Sequence, residues 1–255
     1  MAYQAQMIID NGLEIPSLQN ISEQSVTQKY PLGALLKLND GRVFRYAGNS
    51  SAGALAAGQL CQRAAPVANH LNMACAVTAL AAKAVTVTDG GTAFTANQYA
   101  EGFLHINGDI GEGHIYKVKS HPANAGSATC VITLYDEIRV ALDATSDVTL
   151  TKNKYKDLIV CPTTLTAPPA GWSTIVVTAS YFFWMLVKGT CVALQHTGSS
   201  GAAAVGNCVV PASTNTPVAG AVEEFSSGLI PIVGVVEQVN ATTEYGLISA
   251  CIQGE

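Results

Sequence analysis

Charged side chains are scarce in this sequence. They make up only 12% of the 255 residues, whereas 49% of the residues are hydrophobic. Soluble globular proteins typically carry about 25% charged residues, so this chain has little charge with which to cover a water-exposed surface. We therefore expect much of the outer surface to be rich in Ser, Thr, Asn and Gly, or to be covered by partner proteins.

Several sequence features that mark particular classes of protein are also missing. The net charge is −5 and the Lys and Arg residues are scattered, so we expect no nucleic-acid partner. The chain contains no apolar run of about 18 residues, and its start lacks a basic segment followed by an apolar one. We therefore expect neither membrane insertion nor secretion.

The cysteines give no sign of a disulfide framework or a metal site. They are seven in number, an odd count, and none forms a Cys-x-x-Cys pair. Most lie inside apolar runs, which is typical of buried, reduced thiols that act as small hydrophobic groups. This usage fits a protein that is assembled in a reducing cytoplasm.

The strongest structural pattern is a series of short β-rich runs separated by turn residues. In the last third of the chain, residues 180–188 and 191–194 are predicted to form a hairpin across Lys188, Gly189 and Thr190, and further strands are predicted near 205–211, 218–222, 230–239 and 245–252. Successive strands begin roughly every ten residues, which is typical of a sandwich or barrel. Residues 34–38 and 42–46 flank an Asp-Gly turn and predict another hairpin.

The middle of the chain continues the same pattern. Strands are predicted at 84–88, 130–134 and 157–161, with a hairpin formed by 103–106 and 114–119. Residues 67–84 could form a helix or a strand, and the alternation within 72–78 favours a strand. Residues 136–142 fit either a short helical turn or a strand.

The predicted fold class is all-β: short antiparallel strands in one or two sandwich-like or barrel-like modules with an extended N-terminal arm. The arm spans 1–28, a β-rich module spans 29–165, and a C-terminal barrel or sandwich spans 172–255. The boundary is placed at the Pro- and Thr-rich segment 162–171.

A short pattern occurs twice. Ala57-Gly58-Gln59-Leu60-Cys61 and Val205-Gly206-Asn207-Cys208-Val209 each place a glycine and an amide before a strand, after a pair of serines and several alanines. The two matches hint at a repeated loop-to-strand element, although chance matches are expected in a chain rich in Ala and Gly.

No cluster of residues predicts catalysis. The loop 108–113 has the glycines of a phosphate loop, but a strand follows it and it lacks the Lys-Ser/Thr pair, so a hairpin loop is the better interpretation. His105 and His114 could meet across their hairpin, with His121 nearby, yet three metal ligands are not assured. Asp136, Glu137, Asp143 and Asp147 are best explained as a solvated acidic loop. We expect no enzyme activity, no catalytic residues, no metal and no cofactor.

Five segments together resemble known proteins. They are residues 40–46, 97–102, 111–116, 138–142 and 244–248, and with them the chain resembles virion structural proteins of tailed bacteriophages, in particular head decoration (cement) proteins. The resemblance covers most of residues 30–255, and the chain is longer than the small decoration proteins. It implies an all-β protein, often a homotrimer, that binds the capsid exterior and clamps neighbouring capsomers.

The resemblance also defines the expected partners and interface residues. The major capsid protein and further copies of the chain are the expected partners, with assembly in the host cytoplasm. In the arm, Tyr3, Ile8 and Ile9 are the predicted interface residues, whereas Phe44 and Tyr46 are predicted to lie in the core. Deleting 1–28 is expected to weaken attachment more than folding.

Two other functions remain open at this stage. A tail or fibre component would also be built from β-strands in a trimer. A host-surface or glycan-binding module would use exposed aromatic side chains, for which Trp172, Tyr181 and Trp184 are the candidates.

Overall fold

The computed structural model describes residues 6–9, 13–16, 18–197, 203–214, 216–226 and 230–252. They form 18 strands and a single 3-10 turn at Ala68–His70, which confirms the predicted all-β class. The chain divides into two compact units, a scaffold (residues 1–64 and 155–255) and a barrel (65–154). The strands are β1 (Gln6–Ile9), β2 (Leu13–Pro16), β3 (Leu35–Lys37), β4 (Val43–Gly48), β5 (Leu60–Gln62), β6 (Met73–Cys75), β7 (Ala84–Thr88), β8 (Phe103–Gly108), β9 (Ile115–Ser120), β10 (Thr129–Leu134), β11 (Asp147–Thr151), β12 (Ile159–Val160), β13 (Pro169–Trp172), β14 (Phe182–Leu194), β15 (Cys208–Pro211), β16 (Val222–Glu224), β17 (Gly234–Gln238) and β18 (Tyr245–Cys251).

The barrel is closed by six antiparallel strands in the order β10-β7-β6-β11-β8-β9. Alternate residues point inward, as the period of a strand requires, and bury a separate core that includes Val85, Leu104 and Ile132. The predicted hairpin of β8 and β9 is present, and the favoured strand in 72–78 is the short β6. Residues 136–142 form neither a helical turn nor a strand.

The Asp-Gly hairpin in the scaffold forms as predicted. Leu36 pairs with Phe44 across β3 and β4, and Gly41 adopts a φ of +89° in the turn, a conformation that glycine accepts without steric cost. Phe44 and Tyr46 are fully buried, as predicted.

The scaffold sheet contains two five-strand repeats with the same topology. Repeat 1 comprises β4, β5, β12, β13 and the first half of β14; repeat 2 comprises the second half of β14, β15, β16, β17 and β18. In chain order these are the first to the fifth strand of each repeat, and in both the spatial order is first, fifth, fourth, second, third. The long strand β14 thus ends one repeat and begins the other.

The registers of the two repeats agree at the pairings of the second strand with the third and fourth. Cys61 pairs with Gly171 and Val160 in repeat 1. At the equivalent places in repeat 2, Val209 pairs with Gly234 and Glu224. The next pairing agrees too, because Trp172 pairs with Leu186 in the first repeat and Val235 with Ser249 in the second.

The short pattern found in the sequence enters the second strand of each repeat. Gln59 N donates to Ala56 O, and Asn207 N donates to Ala204 O, which closes one turn in each repeat. The glycines have φ values of +76° and +89°, and their N–H groups donate to the equivalent carbonyls of Ser173 (2.7 Å) and Val236 (2.9 Å). The sequence match therefore marks a structural repeat.

The predicted hairpin across Lys188, Gly189 and Thr190 is wrong. Phe182–Leu194 is one continuous strand, which pairs first with β4 and then with β18, and its register with β4 shifts between Leu186 and Lys188. Gly189 has a φ of +99°. This irregularity lies where β14 stops pairing with β4 and begins to pair with β18, and the chain does not reverse there.

The units differ from the modules predicted at 29–165 and 172–255. Strands β3–β5 belong to the same sheet as β12–β18, and the Pro-rich segment 162–171 leads into β13, a buried strand of that sheet. Sheet pairing between distant parts of the chain decides the division, and composition along the sequence does not show such pairing.

The predicted arm 1–28 is also more structured than expected. Its first part contains the antiparallel pair β1 and β2, and its second part is held on the scaffold by buried Gln19. Gln19 Oε1 accepts from Tyr46 Oη at 2.8 Å, and Trp184 Nε1 donates to Gln19 O at 2.9 Å. These contacts give this part of the arm a role in scaffold folding.

Candidate functional site

Two buried histidines lie in an aromatic cluster inside the barrel. His70 and His121 each contact Phe94 edge-on and lie beside Tyr99, with ring centroids 5.1–5.8 Å apart. All four side chains are almost completely buried. In the sequence, the buried position of His70 is marked only by the absence of charged residues between Arg63 and Lys83.

Hydrogen bonds fix the roles of these histidines. Tyr99 N donates to His121 Nε2 at 2.9 Å, and His121 Nδ1 lies 2.8 Å from Pro122 O, so we assign the proton to Nδ1. His70 Nε2 faces the carbonyl of Thr92 at 2.7 Å, and its Nδ1 faces the Tyr99 hydroxyl. Every ring nitrogen therefore has a partner, and the cluster is a structural network.

The predicted histidine group is separated by the fold. His105 lies on the outward-facing side of β8 opposite Ile115, and His114 Nδ1 lies 2.9 Å from Gly111 O, whereas His121 is inside the barrel. Across the described residues, no three His, Cys, Asp or Glu side chains are placed to hold a metal ion.

The loop 108–113 is a hairpin connection. Strand β8 ends at Gly108 and β9 follows at Ile115; Gly111 and Gly113 adopt positive φ values of +90° and +81°. A loop that enters a strand does not present the helix N-terminus that cradles phosphate.

The acidic residues around 136–147 have separate partners. Glu137 lies 3.6 Å from the Lys83 ammonium. Hydrogen bonds from the Thr145 hydroxyl and backbone to Asp143 lower the pKa of that carboxyl, which is the arrangement of a side chain that stabilises a turn.

Burial keeps the core thiols protonated. The seven cysteines are free, and five of them are buried. Loss of solvation raises the pKa of Cys61, Cys161 and Cys191 to about 12, and a protonated thiol is a poor nucleophile. The predicted packing role of the cysteines is confirmed for these buried side chains.

Large apolar side chains are exposed on the outer face of the barrel, and we call four residues there the barrel strip: Phe103, Ile115, Lys117 and Tyr135. Ile115 is 60% exposed and Tyr135 49%. Phe103 pairs with Lys117 across β8 and β9, and the Lys117 ammonium lies 5.7 Å from the centre of the Tyr135 ring. In the sequence, Phe103 and Ile115 alternate with the apolar residues at 104, 106, 116 and 118, so the strand period places these two side chains on the opposite, outer face.

A second apolar surface is a groove of about 700 Å³ in the scaffold. Val192 and Leu247, which pair across β14 and β18, line it with Val176, Tyr245 and Arg42. Val176 is 63% exposed. The groove offers apolar contact area together with one cationic group.

The predicted interface residues of the arm have no described side-chain environment. Ile8 pairs with Glu14 and Ile9 with Leu13 between β1 and β2, whereas Tyr3 lies outside the described residues. Two of the three aromatic candidates for glycan binding are buried: Trp172 and Trp184 have no exposed surface, whereas Tyr181 is half-buried. A sugar cannot stack on either indole, so the glycan-binding hypothesis loses those two residues.

Comparison with known proteins identifies no relative: no family model, curated protein or solved structure matches this chain. In the part of the chain that the structure describes, no helix is long and apolar enough to span a membrane.

Proposed function

We propose that this chain is a virion structural protein that binds the outside of a phage capsid and stabilises the shell by bridging capsomers. The barrel strip carries the proposal on the structural side, because Phe103, Ile115 and Tyr135 are exposed on one sheet face. Exposed apolar patches that are bordered by polar residues are typical of protein interaction sites. The resemblance to head decoration proteins supplies the kind of partner.

The low charge of the whole chain supports the same function. Only 12% of the residues are charged, and interface centres are depleted of charge and enriched in aromatic residues. A homotrimer that also contacts the capsid would cover several surface patches, each standard interface burying about 1,600 Å² in total.

The direct test is co-sedimentation of the purified protein with phage heads that lack it. We expect saturable binding, with one trimer at each local three-fold position, and a trimeric mass for the free protein in sedimentation equilibrium. Absence of the protein from purified particles, or no binding to heads, would remove the proposal.

Paired variants test whether the barrel strip makes the contact. Ile115→Glu places a charge within the strip, whereas Thr129→Glu places the same charge on an exposed position of β10. We expect at least a tenfold loss of affinity for heads from the first variant and less than a twofold change from the second. Equal binding by both variants would assign the contact to another surface.

A further inference from the structure

The two repeats differ most in the connection between their second and third strands. In repeat 2, β15 and β16 are joined by a short loop that is closed by Ala212 N donating to Ala221 O at 3.0 Å. The register places Ala64 and Asp157 at the equivalent positions of repeat 1. Between those two residues lies the barrel, Ala65–Lys154.

The barrel has the properties of a self-contained domain. It has its own buried core, and its sheet is closed, so its strands need no partner from outside. Its first and last strands pair with each other, Met73 with Val148, which brings its two ends close together. Adjacent termini are the usual condition for inserting one domain into a loop of another.

The scaffold likewise has a sheet and a core that include no residue of the barrel. Its sheet contains both repeats and joins β5 to β12 directly. Its core cluster draws on residues before 62 and after 154 only. Repeat 2 shows that this strand topology closes with a short hairpin loop.

We propose that the barrel is an accessory domain inserted into the hairpin between the second and third strands of repeat 1 of a duplicated scaffold, and that the scaffold folds without it. The inference rests on strand register and does not depend on what the chain binds.

The intact chain offers a reporter for this independence. Both tryptophans, Trp172 and Trp184, are scaffold residues, so tryptophan emission follows scaffold unfolding, and hydrogen exchange of peptides from 84–134 follows the barrel. Ile132→Ala empties a fully buried site in the barrel, and Ile248→Ala empties a matched site in the scaffold.

We expect each variant to affect its own unit. Ile132→Ala should speed exchange in 84–134 at least tenfold and move the tryptophan melting midpoint by less than about 2 °C, whereas Ile248→Ala should lower that midpoint by about 5 °C or more. If both variants shift both readouts together, the chain is one cooperative unit and the inference fails.

An excision variant provides the second test. Residues 65–156 are replaced by the loop 213–220 of repeat 2, and we expect a cooperative tryptophan transition within about 10 °C of the full chain. The matched control also removes β5 by replacing 60–156 with the same loop, and it should lose the transition because β5 lies between β12 and β13. An excised chain with no cooperative transition would overturn the inference.

Discussion

The two repeats of the scaffold share a backbone pattern but hardly any side chains. At the centre of the fifth strand, repeat 1 has Phe183 and Trp184, where the register gives repeat 2 Gly246 and Leu247. A phenylalanine thus corresponds to a glycine, and a tryptophan to a leucine. What the repeats keep is a turn, a set of pairings and a few glycines, which shows that hydrogen-bond register defines this fold more strictly than core composition does.

The largest expected effect concerns the glycine of the fourth strand. A Cβ at Gly171 would overlap the carbonyl oxygen of Leu186, and a Cβ at Gly234 that of Ser249, on the neighbouring strand in each repeat. Because backbone atoms cannot move aside, we expect Gly171→Ala and Gly234→Ala each to cost about 3 kcal/mol or more in unfolding free energy. Urea titration followed by tryptophan emission measures both.

Gly53→Ala is the control for these variants, since no atom lies within 4 Å of its Cβ position. It should change the unfolding free energy by less than about 0.5 kcal/mol. An unchanged unfolding free energy for Gly234→Ala would show that the close approach of the fourth and fifth strands is not shared by the two repeats.

A second difference concerns the described contacts of the N-terminal arm, which join Gln19 to Tyr46 and Trp184 of repeat 1. Gln19→Ala removes the acceptor of the buried Tyr46 hydroxyl proton, while Lys29 N still donates to the hydroxyl oxygen. Leaving a buried donor without its acceptor costs about 1–3 kcal/mol. We expect thermal unfolding to report this loss, with Ser22→Ala, an exposed neighbour, unchanged. A wild-type melting temperature for Gln19→Ala would return the arm to a role in attachment alone.

The turn glycines sharpen the comparison further. Gly58 and Gly206 both adopt left-handed conformations, so alanine should cost about 1 kcal/mol at each. At Gly58 the new methyl would also meet the Tyr245 ring at 2.7 Å, whereas at Gly206 it would meet nothing within 4 Å. We therefore expect Gly58→Ala to be the more damaging substitution.

A double-mutant cycle isolates that extra cost. Tyr245→Ala should reduce the penalty of Gly58→Ala to that of Gly206→Ala, giving a coupling of about 1 kcal/mol in denaturant titrations. Additive effects would mean that the ring moves aside freely.

The smallest expected effect concerns the buried thiols of repeat 1. Burial raises the pKa of the Cys61 thiol to about 12 in the folded protein. As the pH rises, the thiol of the unfolded chain therefore loses its proton before the thiol of the folded chain does. Folding stability should fall between about pH 9 and pH 12. The equivalent residue in repeat 2 is Val209, which is also buried.

Cys61→Val should therefore be tolerated within about 1 kcal/mol at pH 7 and should reduce the alkaline loss of stability. Unfolding titrations at pH 7 and pH 10 measure both effects. Cys251→Val, at an exposed position, is the control that should leave the alkaline slope unchanged.

The sequence predicts local structure better than it predicts the arrangement of the strands. The Asp40-Gly41 turn and the alternation in 103–119 depend on neighbours in the chain, and both hairpins form. The prediction of a hairpin within β14 is wrong because glycine is typical of turns, whereas Gly189 lies where one continuous strand changes its partner from β4 to β18. The insertion could not be inferred from composition, because Pro168 and Pro169 resemble a linker and only pairing with β5 shows otherwise.

The candidate surfaces follow the same rule. The exposed positions of Phe103 and Ile115 are implied by the strand period, so the barrel strip was accessible to prediction once the hairpin was known. The burial of Trp172 and Trp184 was not, because it depends on contacts with distant segments such as Gln19. The repeated turn can be recognised in the sequence, but only the register of four further strands shows that it belongs to a structural repeat.

The loop between β15 and β16 is a candidate site for inserting a foreign domain, because the equivalent connection between β5 and β12 already contains a domain. Since the equivalent connection in repeat 1 accommodates Ala65–Lys154, the same backbone junction at Ala212 and Ala221 is suited to carrying a foreign domain whose ends lie close together. Such a junction would serve as a genetic attachment point through which each copy of this protein carries an antigen or an enzyme.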